Sequence, residues 1–213
     1  MASNHSPYSQ RLSVVDDPRS PITYLITDCP NEKSLLEDYL SLLQAHDCSN
    51  VVRLCDGGAY NADPLRQHGV TVWDWPFEDG SVPPEAIISA YRDMLDSLTS
   101  STATSDSDAK RRDSGRSGNA ASIVDGKSKP AVAIHCISGI GRAPVLVAAA
   151  LIDCGVDPVE AVELVRAKRR GALNKRQLAW LIDKKGGFKR KKRGKDGKGS
   201  IGKMFAGFLG KKD

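Results

Sequence analysis

The chain has 213 residues, 40% apolar and 6% aromatic, enough for one domain whose core is filled mainly by aliphatic side chains. Its formal charge of +5 hides an asymmetry: Lys184 to Asp213 holds 12 Lys/Arg against 2 acids, and the rest holds 19 against 24. No apolar run approaches the ~20 residues of a membrane-spanning helix, and the polar residues 1–20 contain no apolar stretch of a secretory leader, so neither is expected.

In chain order, residues 1–20 are polar and broken by Asp16-Asp17-Pro18 and Ser20-Pro21, which predicts a disordered N-terminus. A domain is expected over 21–183. It opens with a strand at 22–27. Asn31 then caps a helix to about Ala45, whose Leu35, Leu36, Tyr39, Leu40, Leu42 and Leu43 form an apolar face. Short apolar strands follow at 50–54 and 70–73, and a proline-started helix at 83–98. Residues 99–129 are Ser, Thr, Asp, Gly, Lys and Arg with almost no apolar content, an inserted low-complexity loop. Order resumes with a strand at 131–136, a helix at 142–154 ended by Gly155, and helices at 158–169 and 174–182. Residues 184–213 form a basic tail suited to an anionic surface or to solvent. Strands alternating with helices predict an α/β fold: a central, mostly parallel sheet of about four to five strands flanked by helices.

The five cysteines, Cys29, Cys48, Cys55, Cys136 and Cys154, are odd in number and widely spaced. That pattern is neither a secreted disulfide framework nor a zinc-ligand spacing, so a reducing cytoplasmic setting is expected, without metal or cofactor. One cysteine has a distinctive context. The apolar run Ala131-Val132-Ala133-Ile134-His135 leads into Cys136-Ile137-Ser138-Gly139-Ile140-Gly141-Arg142, and an apolar helix follows. A strand that ends in a glycine-bearing loop at a helix N-terminus makes an anion cradle, since backbone N–H groups and the helix dipole both favour negative charge. The same field stabilises a thiolate at Cys136, and Arg142 offers a planar fork for phosphate oxygens. Five residues between Cys and Arg let the loop close around one phosphate. The plainer alternative is a buried cysteine in a glycine turn. Phosphoryl transfer to Cys136 also needs a proton for the leaving oxygen. Trp73-Asp74-Trp75-Pro76-Phe77-Glu78-Asp79-Gly80 offers Asp74, Glu78 and Asp79, which composition alone leaves open.

That tryptophan-rich string, the run from Cys136 to Val147 and Lys168-Arg169-Arg170-Gly171-Ala172-Leu173-Asn174 together resemble the phosphatases of regenerating liver. These are the type IVA protein tyrosine phosphatases, a branch of the dual-specificity group. The resemblance implies a dual-specificity-phosphatase-like fold and hydrolysis of phosphotyrosine in proteins through a phosphocysteine. It implies Cys136 as nucleophile and Arg142 as clamp, with Ile137, Ser138, Gly139, Ile140 and Gly141 around the phosphate. Asp79 becomes the general acid. Cys55 becomes a reversible disulfide partner of Cys136. Ala143 stands where related enzymes carry Ser or Thr, which implies a slow second step.

As an alternative, the resemblance implies a mainly binding role towards CBS-domain magnesium transporters. Self-association is allowed, and no nucleic-acid partner is expected. Family members end in a prenylated cysteine box, whereas this chain ends Gly210-Lys211-Lys212-Asp213, so prenylation is not expected. Ile201, Met204, Phe205, Phe208 and Leu209 at helical spacing, flanked by lysines, suit an anionic membrane surface, although four glycines interrupt them. A nuclear-import patch is the other reading of that tail.

Overall fold

The computed structural model describes residues 12–103 and 129–183. Its strands are β1 (Ser13–Val15), β2 (Thr23–Thr27), β3 (Asn50–Arg53), β4 (Thr71–Asp74) and β5 (Ala131–His135). The helices are α1 (Leu40–Ala45), entered through a π-helical turn at Leu35–Tyr39, then α2 (Asp63–Gln67), α3 (Glu85–Ala103), α4 (Arg142–Asp153), α5 (Pro158–Lys168) and α6 (Lys175–Ile182). The strands form one sheet in the order β1-β2-β5-β3-β4. β2, β5, β3 and β4 run parallel, and β1 pairs antiparallel to β2. The mostly parallel sheet of the sequence reading is present.

Strand periodicity divides the core in two. Tyr24, Ile26, Val52, Leu54, Val132 and Ile134 face a cluster built with α3, α4, α5 and α6. The alternate residues Leu25, Val51, Ala131 and Ala133 pack on the other face with Leu35, Tyr39, Leu43 and Leu65. A parallel sheet covered on both faces must be apolar at every position, which explains why these strands read as continuous apolar runs. Every residue of α4 from Arg142 to Ile152 is buried. Helix α4 is therefore the centre of its layer, and each of Val145, Leu146 and Leu151 contributes roughly 1.5–3 kcal/mol by leaving water.

Several boundaries differ from the sequence reading. Ser13–Val15, expected in a disordered N-terminus, forms the edge strand instead. It is held by its ladder with β2, by Ser13 Oγ donating to the Lys168 carbonyl at 2.8 Å, and by burial of Val15. A three-residue edge strand carries too little periodicity to announce itself. The remainder of that segment, residues 1–11, lies outside the described residues. The predicted insertion also begins late: α3 continues through Ala103. At its far end Lys129 is anchored by Asp16 at 2.7 Å and the Asp17 carbonyl at 2.8 Å. Residues 104–128 and the tail 184–213, with its amphipathic spacing, lie outside the described residues.

Asn31 does not cap a helix. Its Oδ1 accepts the Ser34 N–H at 3.0 Å in a local turn, and the wide helical turn that follows starts with Tyr39 N donating to the Ser34 carbonyl at 2.9 Å. Short α2 was not anticipated. Among the described residues no helix is long and apolar enough to cross a membrane.

Candidate active site

Three neighbouring strands, β2, β5 and β3, end side by side, with His135 paired in register to Thr27 and to Arg53. Cys136 is the first residue beyond β5, and the loop closes at Gly141, the N-cap of α4. Gly139 has φ +63°, and a Cβ there would stand 2.6 Å from the Thr27 carbonyl oxygen and 2.6 Å from Arg169 Nη2. No side chain fits between this loop and the end of β2.

Four successive carbonyls of the loop are claimed from outside it. Ile137 O accepts from Cys29 N at 2.9 Å and Ile140 O from Leu173 N at 2.8 Å. Ser138 O accepts from Arg169 Nη2 at 2.8 Å and Gly139 O from Arg169 Nε at 3.2 Å. A trans peptide points its N–H opposite its carbonyl, so holding four successive carbonyls outward turns the N–H groups of Ser138, Gly139, Ile140 and Gly141 towards the inside. The path of the loop is thus set by its neighbours, chiefly Arg169, which also pairs with Asp28.

Cys136 is buried at the base of this loop. Arg142 is buried too, and its Nη1 donates to the carbonyls of Leu54 at 3.0 Å and Phe77 at 3.1 Å. Its Nε lies 3.2 Å from Asp79 Oδ1, an ion-pair contact without hydrogen-bond alignment. This buried N–H has no acceptor among the described residues. Asp79 itself is 80% exposed. Of the three acids the sequence offered, Asp74 is engaged by Arg53 and by Arg66, at 3.4 Å from the latter, and Glu78 is exposed. Asp79 is the acid that contacts Arg142.

The loop bearing Asp79 is tied to the start of α6. Asn174 Nδ2 donates to the Gly80 carbonyl at 2.9 Å and Gln177 Nε2 to the Ser81 carbonyl at 3.0 Å. The same two residues form the capping box of α6. Arg169, Asn174 and Gln177 were not singled out as site residues from sequence. Arg169 and Asn174 lie in the basic string quoted above, but their partners are far away along the chain.

Cys55 follows β3 by two residues, on the strand end adjacent to Cys136. Its Sγ lies 3.8 Å from Cys29 Sγ, a neighbour the sequence reading did not give it. The Cys29 thiol, against the opposing effect of burial and helped by His135 and Arg142, holds the Cys55 thiol well below its ordinary range. Cys29 moves the opposite way, because it keeps the shared proton and is partly buried. His135 Nδ1 lies 3.1 Å from the Cys136 carbonyl oxygen and Nε2 lies 2.9 Å from Tyr60 Oη. A cavity of about 810 Å³ elsewhere, lined by Tyr24, Tyr91, Arg92 and Asp153, includes no residue of the Cys136 loop.

No protein-family model matches the chain. Similar curated proteins do exist. A protein tyrosine phosphatase type IVA of Dictyostelium discoideum is 36% identical over 158 residues, 74% of this chain and 79% of its own length. The PRL-1 phosphatase of Drosophila melanogaster is 37% identical, covering 74% of each. Among solved structures, a protein tyrosine phosphatase from Leishmania major aligns with a TM-score of 0.66 and 30% identity, over 84% of this chain and 99% of its own. The kinase associated phosphatase shares the fold, with a TM-score of 0.59 and 17% identity over 86% of this chain and 98% of its own. These similarities place the chain in the protein tyrosine phosphatase type IVA family, with the dual-specificity-phosphatase-like fold and the hydrolase class of that family.

Proposed function

We propose that the chain hydrolyses phosphotyrosine in protein substrates through a phosphoenzyme on Cys136. The reading rests above all on one observation: among the described residues the buried Nε–H of Arg142 lacks an acceptor, at a loop that holds Cys136 and beside Asp79. A phosphate oxygen supplies that acceptor. In the first step the Cys136 thiolate attacks phosphorus, the bond to the phenolic oxygen breaks, and Asp79 delivers its proton to that oxygen. Arg142 and the inward N–H groups of residues 138–141 stabilise the charge on the three remaining oxygens. In the second step Asp79 takes a proton from water as it attacks phosphocysteine, and the thiolate leaves. Ile137 and Ile140 are exposed on the loop and offer an apolar rim to an aromatic ring.

Ala143 is fully buried in the first turn of α4 and has no hydroxyl to donate to the departing thiolate, so the second step is slow. Cys55 is assigned as a disulfide partner that shields the Cys136 thiolate from further oxidation, an assignment supported by their adjacent strand ends. The binding-regulator alternative has no observation here in its favour.

Rapid-mixing kinetics with an aryl phosphate tests the assignments together. Wild type should give a burst of phenol followed by a slow steady phase. Cys136→Ser should abolish both phases, and Asp79→Ala should slow the burst by roughly 10²-fold or more. Ala143→Ser should speed the slow phase about fivefold, the worth of one hydrogen bond to the thiolate. Linear, fast turnover without a burst in wild type sinks the slow-step assignment, and an active Cys136→Ser sinks the nucleophile.

A further inference from the structure

We propose that Cys29, Cys55 and His135 form a binding site for one zinc-class divalent cation, built from residues other than those of the Cys136–Arg142 loop and adjoining it through His135. Along the sequence these residues are too far apart to suggest a metal site. The fold brings them together because each lies at the C-terminal end of a different strand. Cys29 follows β2 by two residues, Cys55 follows β3 by two, and His135 is the last residue of β5, the strand between them.

One ligand atom from each of the three lies within 4.8 Å of the other two. Two thiolates and an imidazole are a donor set that selects zinc over magnesium or calcium. The spacing also fits. Two sulfurs bound to a tetrahedral zinc at about 2.3 Å stand about 3.8 Å apart. The Sγ–Sγ distance between Cys29 and Cys55 is 3.8 Å.

The backbone under the site is already locked. Cys29 N donates to the Ile137 carbonyl at 2.9 Å and Leu54 N to the His135 carbonyl at 3.0 Å. Little ordering cost is left for metal uptake to meet. In the tautomer whose Nδ1 proton points at the Cys136 carbonyl, 3.1 Å away, Nε2 is the lone-pair nitrogen of His135, in contact with Tyr60 Oη at 2.9 Å. An imidazole held by a backbone carbonyl on one nitrogen is the usual arrangement of a metal-bound histidine. The ion displaces the Tyr60 hydroxyl, and one coordination position is left for water. Cys29 is half-buried, which gives the ion a route in. Occupation also keeps Cys55 from reaching Cys136.

The test uses the full chain, reduced and stripped of metal by a chelator. Titration with Co²⁺ should give one equivalent with thiolate-to-cobalt charge transfer and the intense visible bands of a tetrahedral site. Competition with a chromophoric chelator should show Zn²⁺ binding that weakens at least about tenfold in both Cys29→Ser and Cys29→Ala. Cys136→Ser should keep the cobalt spectrum. A third readout needs no variant: alkylation followed by peptide mass spectrometry should show Cys29 and Cys55 protected by zinc, with Cys154 labelled as before. The proposal is overturned if zinc leaves Cys29 and Cys55 as reactive as without it, or if both Cys29 variants bind zinc like wild type. It also fails if Cys136→Ser, rather than the Cys29 variants, removes the spectrum, because the ion then belongs to the candidate nucleophile.

Discussion

Gly139 shows how little freedom single positions in the loop have. Its φ of +63° belongs to the left-handed region, and a methyl group would meet the Thr27 carbonyl oxygen at 2.6 Å. That neighbour is backbone of a central strand and has nowhere to go. Gly139→Ala should cost about 2 kcal/mol or more, measured by chemical denaturation, and should abolish competitive inhibition by inorganic phosphate. Stability equal to wild type would mean that the loop has an alternative path. Gly139 was legible in the sequence as part of a phosphate-cradle pattern. What it packs against was not, since Thr27 and Arg169 meet it only through the fold.

At the scale of elements, a charge network just beyond β1 adds to the ladder and the apolar packing that hold this strand. The hydrogen bond from Arg19, partly opposed by burial, holds the Asp17 carboxyl at about 2 instead of 3.8. Arg19 Nη1 also reaches Glu160 of α5 at 2.8 Å, so this network fastens the edge strand to the helical layer. Because the folded state keeps Asp17 ionised to lower pH than the unfolded chain, the contribution is complete above about pH 4 and fades as pH falls through 2. Asp17→Asn should lower Tm at pH 7 by no more than about 3 °C, given the exposure of Arg19. The gap to wild type should narrow as pH drops from 4 towards 2. A gap that stays constant over that range would assign the effect to packing. The long elements were legible because their periodicity is sustained: α4 is apolar on all sides and α6 carries its own capping box. Short β1 and α2 take their form from partners and left no comparable pattern.

For the whole molecule, the site is an assembly of parts that only the three-layer arrangement unites. Arg169, just beyond α5, holds two carbonyls of the Cys136 loop and reaches Asp28 after β2. Arg169→Lys retains the charge but loses the fork that spans these acceptors. A fall in kcat/KM of about tenfold is expected, near the worth of one charge-assisted hydrogen bond, with Tm shifted far less than by Gly139→Ala. A fall in Tm alone, with kcat/KM intact, would make Arg169 a structural residue only. The acid loop is placed in the same way, by Asn174 and Gln177 reaching across from α6.

The amino-acid sequence alone determined the α/β class, the strand-loop-helix with Cys136 and Arg142, and the family resemblance. These depend on local pattern: apolar runs, glycines, and the five-residue spacing between Cys136 and Arg142. Tertiary structure decided which acid stands beside Arg142, because Asp74 is engaged by Arg53 and Arg66 while Asp79 is brought over by α6. It also decided that Cys55 has Cys29 and His135 as neighbours. Parallel strands set residues side by side at their shared end whatever their separation along the chain, and no one-dimensional spacing records that.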